Sequence, residues 1–190
     1  RRGRQSATTG RVKPWMLWGG LTIVVAAVLG VLVSFQSGAG GSAPDFRVVA
    51  YQGQDIIGAE EADFSRIFSH GKPVILNFWA GLCSPCRAEM PGFQRVYDDL
   101  GEQYIMVGVD IGPFVGLGSQ DDARQFLEEF DIRYPTAYTV NGGPVRDYDI
   151  QGIPTTVFIT SEGQILDKRT GFLSEDQLRS KLQDLLDASS

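Results

Sequence analysis

The sequence predicts an α/β domain, a central mixed sheet flanked by helices with an N-terminal β-hairpin, preceded by one transmembrane helix. Three observations carry that expectation. Between residues 46 and 188, apolar β-branched runs alternate with helical patterns, as in sheets with parallel members. The 21 residues Trp15–Phe35 carry no charge; as a helix they span ~31 Å, the thickness of a bilayer core. Finally, one apolar run leads straight into Cys83-Ser84-Pro85-Cys86 and then into a helical pattern.

Charge distribution orients the apolar segment. Arg1, Arg2, Arg4, Arg11 and Lys13 precede it, and the eleven residues after it hold no base. The positive-inside rule puts the N-terminus in the cytoplasm and the rest outside, as a single-pass protein of the cell membrane. A cleaved signal peptide is the alternative. Its apolar stretch is usually ~7–15 residues, but the small residues Ser37–Ala43 would suit a cleavage region. The expected organisation is a basic N-terminus over 1–14, an anchor over 15–35, a Gly- and Ser-rich linker over 36–45 and one domain over 46–188. The net charge is −6 although the first 14 residues are purely basic. The remainder is therefore strongly acidic, which argues against nucleic acid as a partner.

Within the domain, Phe46–Tyr51 and Asp55–Ile57 read as a hairpin around Gln52-Gly53-Gln54. Asp63–Ser69 reads as a short helix capped by Asp63. Pro73–Trp79 and Tyr104–Val109 are continuous apolar runs suited to buried strands. A helix is expected from Ser84 to about Leu100, with Pro85 in its first turn and a kink at Pro91. Another runs from Ser119 to Phe130, and Pro135–Val140 is a weaker strand. Thr155–Ile159 and Gln164–Arg169 flank the turn Ser161-Glu162-Gly163. Ser174-Glu-Asp-Gln177 is a capping box that opens a last helix with Leu178, Leu182, Leu185 and Leu186 inward.

Cys83 and Cys86 are the only cysteines. At a helix start, free backbone N–H groups and the dipole stabilise a thiolate and lower its pKa. That makes Cys83 an attacking group. Cys86, one turn on, can resolve a mixed disulfide. A structural zinc site needs four ligands, and the chain adds one histidine to its two cysteines. No metal or cofactor is expected. A purely structural disulfide across so short a loop restrains the unfolded chain little. Chance core thiols are the remaining alternative.

The segment Asn77-Phe-Trp-Ala-Gly-Leu-Cys-Ser-Pro-Cys-Arg-Ala-Glu-Met-Pro91, with Gly152-Ile-Pro-Thr-Thr-Val-Phe-Ile159 downstream, resembles the thioredoxin-fold superfamily. More narrowly it is similar to membrane-tethered TlpA/ResA/CcmG-like thiol–disulfide oxidoreductases, over roughly residues 45–188. The resemblance implies a thioredoxin fold with an N-terminal hairpin and a central insertion. It implies a cis Pro154 facing the cysteine pair, leaving the Ile153 backbone free to pair with an extended substrate. It further implies Glu89 as a proton partner of Cys86, three residues on, and Trp79 as a shield over the site. Glu89 as a solvated helix residue and Trp79 as plain core packing are the alternatives. Asn77 stands where many thioredoxins have a buried acid. Leu82 replaces a usual aromatic, and Ser84 is uncommon at its place, which bears on redox potential and partner choice.

The activity so implied is extracytoplasmic reduction of protein disulfides, apocytochrome c among them. An integral-membrane thiol donor would recharge the pair, and the protein is expected to be a monomer. A peroxiredoxin-like peroxidase and a non-enzymatic binding or chaperone module are the rival readings. His70 reads as a surface residue, Asp98-Asp99 and Asp121-Asp122 as solvated helix acids, and Gly116-Leu-Gly118 as a loop near the site.

Overall fold

Strand β3, Val74–Trp79, is buried at every position because both of its faces are covered. Val74, Leu76 and Phe78 join one apolar cluster, whereas Ile75 and Trp79 join another, as the two-residue period of a strand requires. The computed structural model describes residues 40–189. The expected anchor and the start of the linker lie outside them. Among the described residues, no helix is long and apolar enough to cross a membrane.

The remaining strands are β1 (Arg47–Gln52), β2 (Glu61–Asp63), β4 (Ile105–Asp110), β5 (Thr136–Thr139), β6 (Thr155–Ile159) and β7 (Ile165–Thr170). They form one sheet in the order β2-β1-β5-β4-β3-β6-β7. β3, β4 and β5 run parallel. β6 and β7 extend the sheet antiparallel at one side, and β1 and β2 do so at the other. The helices are α1 (Gln54–Ile57), α2 (Ser84–Leu100), α3 (Gly112–Val115), α4 (Gln120–Glu129), α5 (Gly143–Asp147) and α6 (Glu175–Ala188). α2, α4 and α6 supply Met90, Phe93, Phe126, Leu178, Leu182 and Leu185 to the cluster that also holds both cysteines. The opposite face is closed by Phe64, Ile67 and Tyr148, among others. This is the thioredoxin-fold arrangement the motifs imply.

Local sequence accounts for most boundaries. Ser119 and Ser174 each form a complete capping box, and α2 runs through Pro91 without a break. The N-terminal hairpin differs from expectation. Gly53 and Gly58 both adopt positive φ, which wraps Gln54–Ile57 into a helical turn instead of a strand. β1 pairs instead with Glu61–Asp63, so Ala62 lies opposite Val48. Asp63 does not cap the next segment, a 3-10 helix over Phe64–His70. Asp45 does so instead, accepting hydrogen bonds from the Ser65 N–H and hydroxyl at 2.8 Å each. Residues 41–45, expected in the linker, are also bound to the domain. The Ala43 N–H donates to Gly163 O, and the Tyr148 hydroxyl donates to Pro44 O. The short helices α3 and α5 are single turns and so leave no periodicity in the sequence.

Gly108 in β4 is a close-approach position. A Cβ there would lie 3.0 Å from Trp79 Nε1, 3.1 Å from Thr136 Cγ2 and 3.3 Å from Tyr134 Cε2. All three belong to fully buried side chains. Gly108→Ala is expected to cost about 1–3 kcal/mol through overpacking, measurable by denaturant unfolding; a loss under ~0.5 kcal/mol would show that the Trp79 seat has slack.

Candidate functional site

β3 ends at Trp79, and after four residues α2 begins. Cys83 is the N-cap of α2, and its Sγ accepts a hydrogen bond from the Cys86 N–H at 3.3 Å. The two cysteines are joined by a disulfide with their Cα atoms 5.2 Å apart. No acid occupies the first turn of α2, so the positive end of its dipole is uncompensated and favours a thiolate at Cys83. Cys83 is 3% exposed, whereas Leu82 beside it is 57% exposed. Cys86 is wholly buried, so attack from outside meets Cys83 first. Arg87 adds little positive charge to the pair. Its guanidinium lies over the Phe126 and Phe130 rings and pairs with Glu129.

Glu89 is not a solvated helix residue. It is 2% exposed, one turn beyond Cys86. Its Oε1 accepts from Asn77 Nδ2 and its Oε2 from the Leu173 N–H, both at 2.9 Å. Asn77 Nδ2 also donates to Thr156 Oγ1 at 3.1 Å, its cross-strand neighbour in register. Burial pushes the Glu89 carboxyl up to about 7, and the two hydrogen bonds hold it from rising further. A carboxyl poised there exchanges a proton readily at neutral pH. The Asn77 Oδ1 has no partner among the described residues.

The Ile153–Pro154 bond is cis, and Ile153 packs against the cluster containing both cysteines. Gly171 N–H donates to Pro154 O at 2.7 Å; two residues on, Leu173 holds Glu89. Trp79 is fully buried, its ring centroid 5.1 Å from that of Phe126, so it packs under the site. The structure therefore brings Trp79, Cys83, Cys86, Glu89 and Ile153 to one end of the sheet. It keeps His70 away, bonded to Ile56 O. Asp98 and Asp99 pair with Arg133 and Arg179, and Asp122 caps α4. The Leu117 carbonyl accepts from the Leu82 N–H at 3.0 Å, so the Gly116–Gly118 loop does border the site. Leu173 and Thr156 also belong to the site; no spacing rule links either to Glu89 in the sequence, although Thr156 lies in the Gly152–Ile159 segment.

The chain is similar to known proteins. The AhpC/TSA family signature matches residues 39–168. The thiol-disulfide oxidoreductase ResA of Oceanobacillus iheyensis is 35% identical over 174 residues, covering 87% of this chain and 85% of that protein. The thioredoxin-like protein YneN of Bacillus subtilis is 29% identical over 143 residues, covering 75% and 78%. Among solved structures, the pneumococcal exposed lipoprotein thioredoxin Etrx1 of Streptococcus pneumoniae superposes with a TM-score of 0.62 at 25% identity. That match covers 75% of this chain and all of the other.

The Glu89 carboxyl moves from an ordinary 4.5 to about 7 on folding, so the folded state holds its proton more tightly. Its contribution to stability is full below pH ~4.5 and is lost as pH rises through about 7. Wild type should therefore lose ~2–3 kcal/mol relative to Glu89→Gln between pH 4.5 and 8, at about 1.4 kcal/mol per pKa unit. Denaturant unfolding at the two pH values measures this, and a pH-independent gap contradicts it. Asn77→Leu removes a bond to the charged form and should raise the Glu89 pKa further, as read by carboxyl NMR titration.

Proposed function

The chain belongs to the AhpC/TSA family of thioredoxin-fold proteins and is a thiol–disulfide oxidoreductase, and from that premise we propose that it reduces protein disulfides outside the cytoplasm, tethered by its N-terminal apolar segment. The observation that carries this reading is the Cys83–Cys86 pair at the start of α2 with the buried Glu89 carboxyl one turn below it.

The Cys83 thiolate attacks one sulfur of a substrate disulfide. A Cys83–substrate bond forms, the substrate S–S bond breaks, and the released thiolate takes a proton. The Cys86 thiol then gives its proton to Glu89 and its sulfur attacks Cys83 Sγ, releasing the second substrate thiolate. Two electrons have passed to the substrate, and Cys83–Cys86 is oxidised. An integral-membrane dithiol donor returns the pair to the reduced state. The Ile153 backbone at the cis-proline offers hydrogen bonds to an extended substrate strand. Trp79 shapes the floor of the site. Apocytochrome c, with two cysteines in its haem-attachment segment, is the substrate class the family resemblance favours.

Three features support the location: the basic flank, the uncharged 21-residue run and the similarity to an exposed lipoprotein thioredoxin. Tethering raises the local concentration of both partners. The dithiol geometry argues against a peroxidase, since Cys86 resolves Cys83 within one helical turn.

Cys86→Ser should accumulate a mixed disulfide with substrate, and Cys83→Ser should not. If neither variant traps a partner and insulin disulfides are not reduced, the assignment of the pair fails. Glu89→Gln should prolong the mixed disulfide by ~10²-fold, the usual worth of general acid–base help. A couple at or below about −250 mV marks a reductase, and one near about −120 mV an oxidase; titration in a thiol redox buffer reads the value.

A further inference from the structure

Asp110 is a buried carboxylate that the exchange chemistry leaves unused. It ends β4, directly opposite Trp79 in register, and is fully buried. Oδ2 accepts from the Tyr51 hydroxyl at 2.9 Å, and Oδ1 accepts from the Gly112 N–H at 2.8 Å. Gly112 is a pivot. Its carbonyl receives the N–H groups of both Gly116 and Leu117, which closes α3 and aims the Leu117 carbonyl at the Leu82 N–H, 3.0 Å away. Leu82 immediately precedes Cys83.

The pivot also touches the active-site loop directly. A Cβ on Gly112 would sit 3.0 Å from Asp110 Oδ1, 3.1 Å from Gly118 O and 3.2 Å from Ala80 Cβ. The loop has little freedom elsewhere. Gly81 lies so close to the backbone of Asp122 and Ala123 that a Cβ would approach within 2.6 Å. The Ile111 N–H binds Trp79 O, and the Cys83 N–H binds Ala80 O.

We propose that Asp110 is a positioning residue for the disulfide exchange reaction: through Gly112 and Leu117 it fixes the Leu82 peptide and so sets Cys83 against the N-terminus of α2. Thiolate stabilisation by a helix terminus depends on that placement and falls off within the first turn. The role belongs to the shape of the carboxyl group and not to its charge. An asparagine offers the same acceptor to Gly112 and can donate to the Tyr51 oxygen, whereas an alanine leaves the Gly112 N–H without its partner. The inference rests on Cys83 being the attacking thiol.

The test is the rate of alkylation of the reduced full-length chain by iodoacetamide across pH 5–9, with the modified residue identified by mass spectrometry and insulin reduction measured in parallel. Asp110→Ala should slow Cys83 alkylation at pH 7 by ~10-fold, equivalent to about one unit in the thiolate pKa, with a matching loss in insulin reduction. Asp110→Asn should stay within ~2-fold of wild type. Gly112→Ala wedges the same pivot with Asp110 intact and should behave like Asp110→Ala, which keeps the question open to test if the latter fails to fold. An unchanged profile in Asp110→Ala or Gly112→Ala overturns the proposal, and so does an Asp110→Asn variant as impaired as Asp110→Ala. Alkylation of wild type at Cys86 instead would overturn the attacking-thiol assignment, a separate outcome visible before any variant is made.

Discussion

A carboxylate removed from water must find hydrogen-bond donors or keep its proton, and Glu89 does some of each. Its two donors come from distant parts of the chain: Asn77 from β3, twelve residues upstream, and the Leu173 N–H, 84 residues downstream. That one group therefore links β3, the helix carrying the cysteines and the segment leading into α6. Gly171, in the same segment, holds the Pro154 carbonyl. The buried Glu89 carboxyl and the cis-Pro154 thus share one short piece of backbone.

The cysteine pair draws on two kinds of support. Below it lies a buried, aromatic packing layer of Trp79, Phe93 and Phe126, in which a side chain resists displacement because its neighbours are close-packed. Beside it lies a loop held almost wholly by backbone contacts, with Asp110 as the side-chain fixture at the far end. A site on such a base needs little reorganisation when a thiolate forms. The exposed Leu82 stands at its rim.

Apart from Glu89 and Asp110, the domain carries its charges outside these layers. Ion pairs such as Arg95–Glu175 and Arg47–Asp63 join exposed side chains, and pairs of that kind contribute little to stability in water. Specificity of the fold comes from the sheet register and the two apolar layers. Glu89 and Asp110 are the two buried acids of the described residues, and both border the cysteine loop.

The sequence by itself determined the chemistry and the frame. Two cysteines at a strand-to-helix junction, the alternation of apolar runs, the capping boxes at Ser119 and Ser174 and the Gly152–Ile159 segment are local patterns, and local patterns are legible because each reports its own φ/ψ and period. Only the tertiary structure decided the rest. The second strand of the hairpin went to Glu61–Asp63 because two positive-φ glycines turned the intervening residues into a helix. The cap of the 3-10 helix fell to Asp45 and not Asp63, a partner twenty residues away. Glu89 could be placed on the cysteine face from its spacing, but the burial that raises its proton affinity, and the Asn77 and Leu173 donors that limit the rise, are set by segments arriving from elsewhere. Asp110 reads in the sequence as one more acid after a strand. Its place behind the active-site loop follows from the parallel pairing of β3 with β4, and contacts between distant segments leave no periodic trace in the chain.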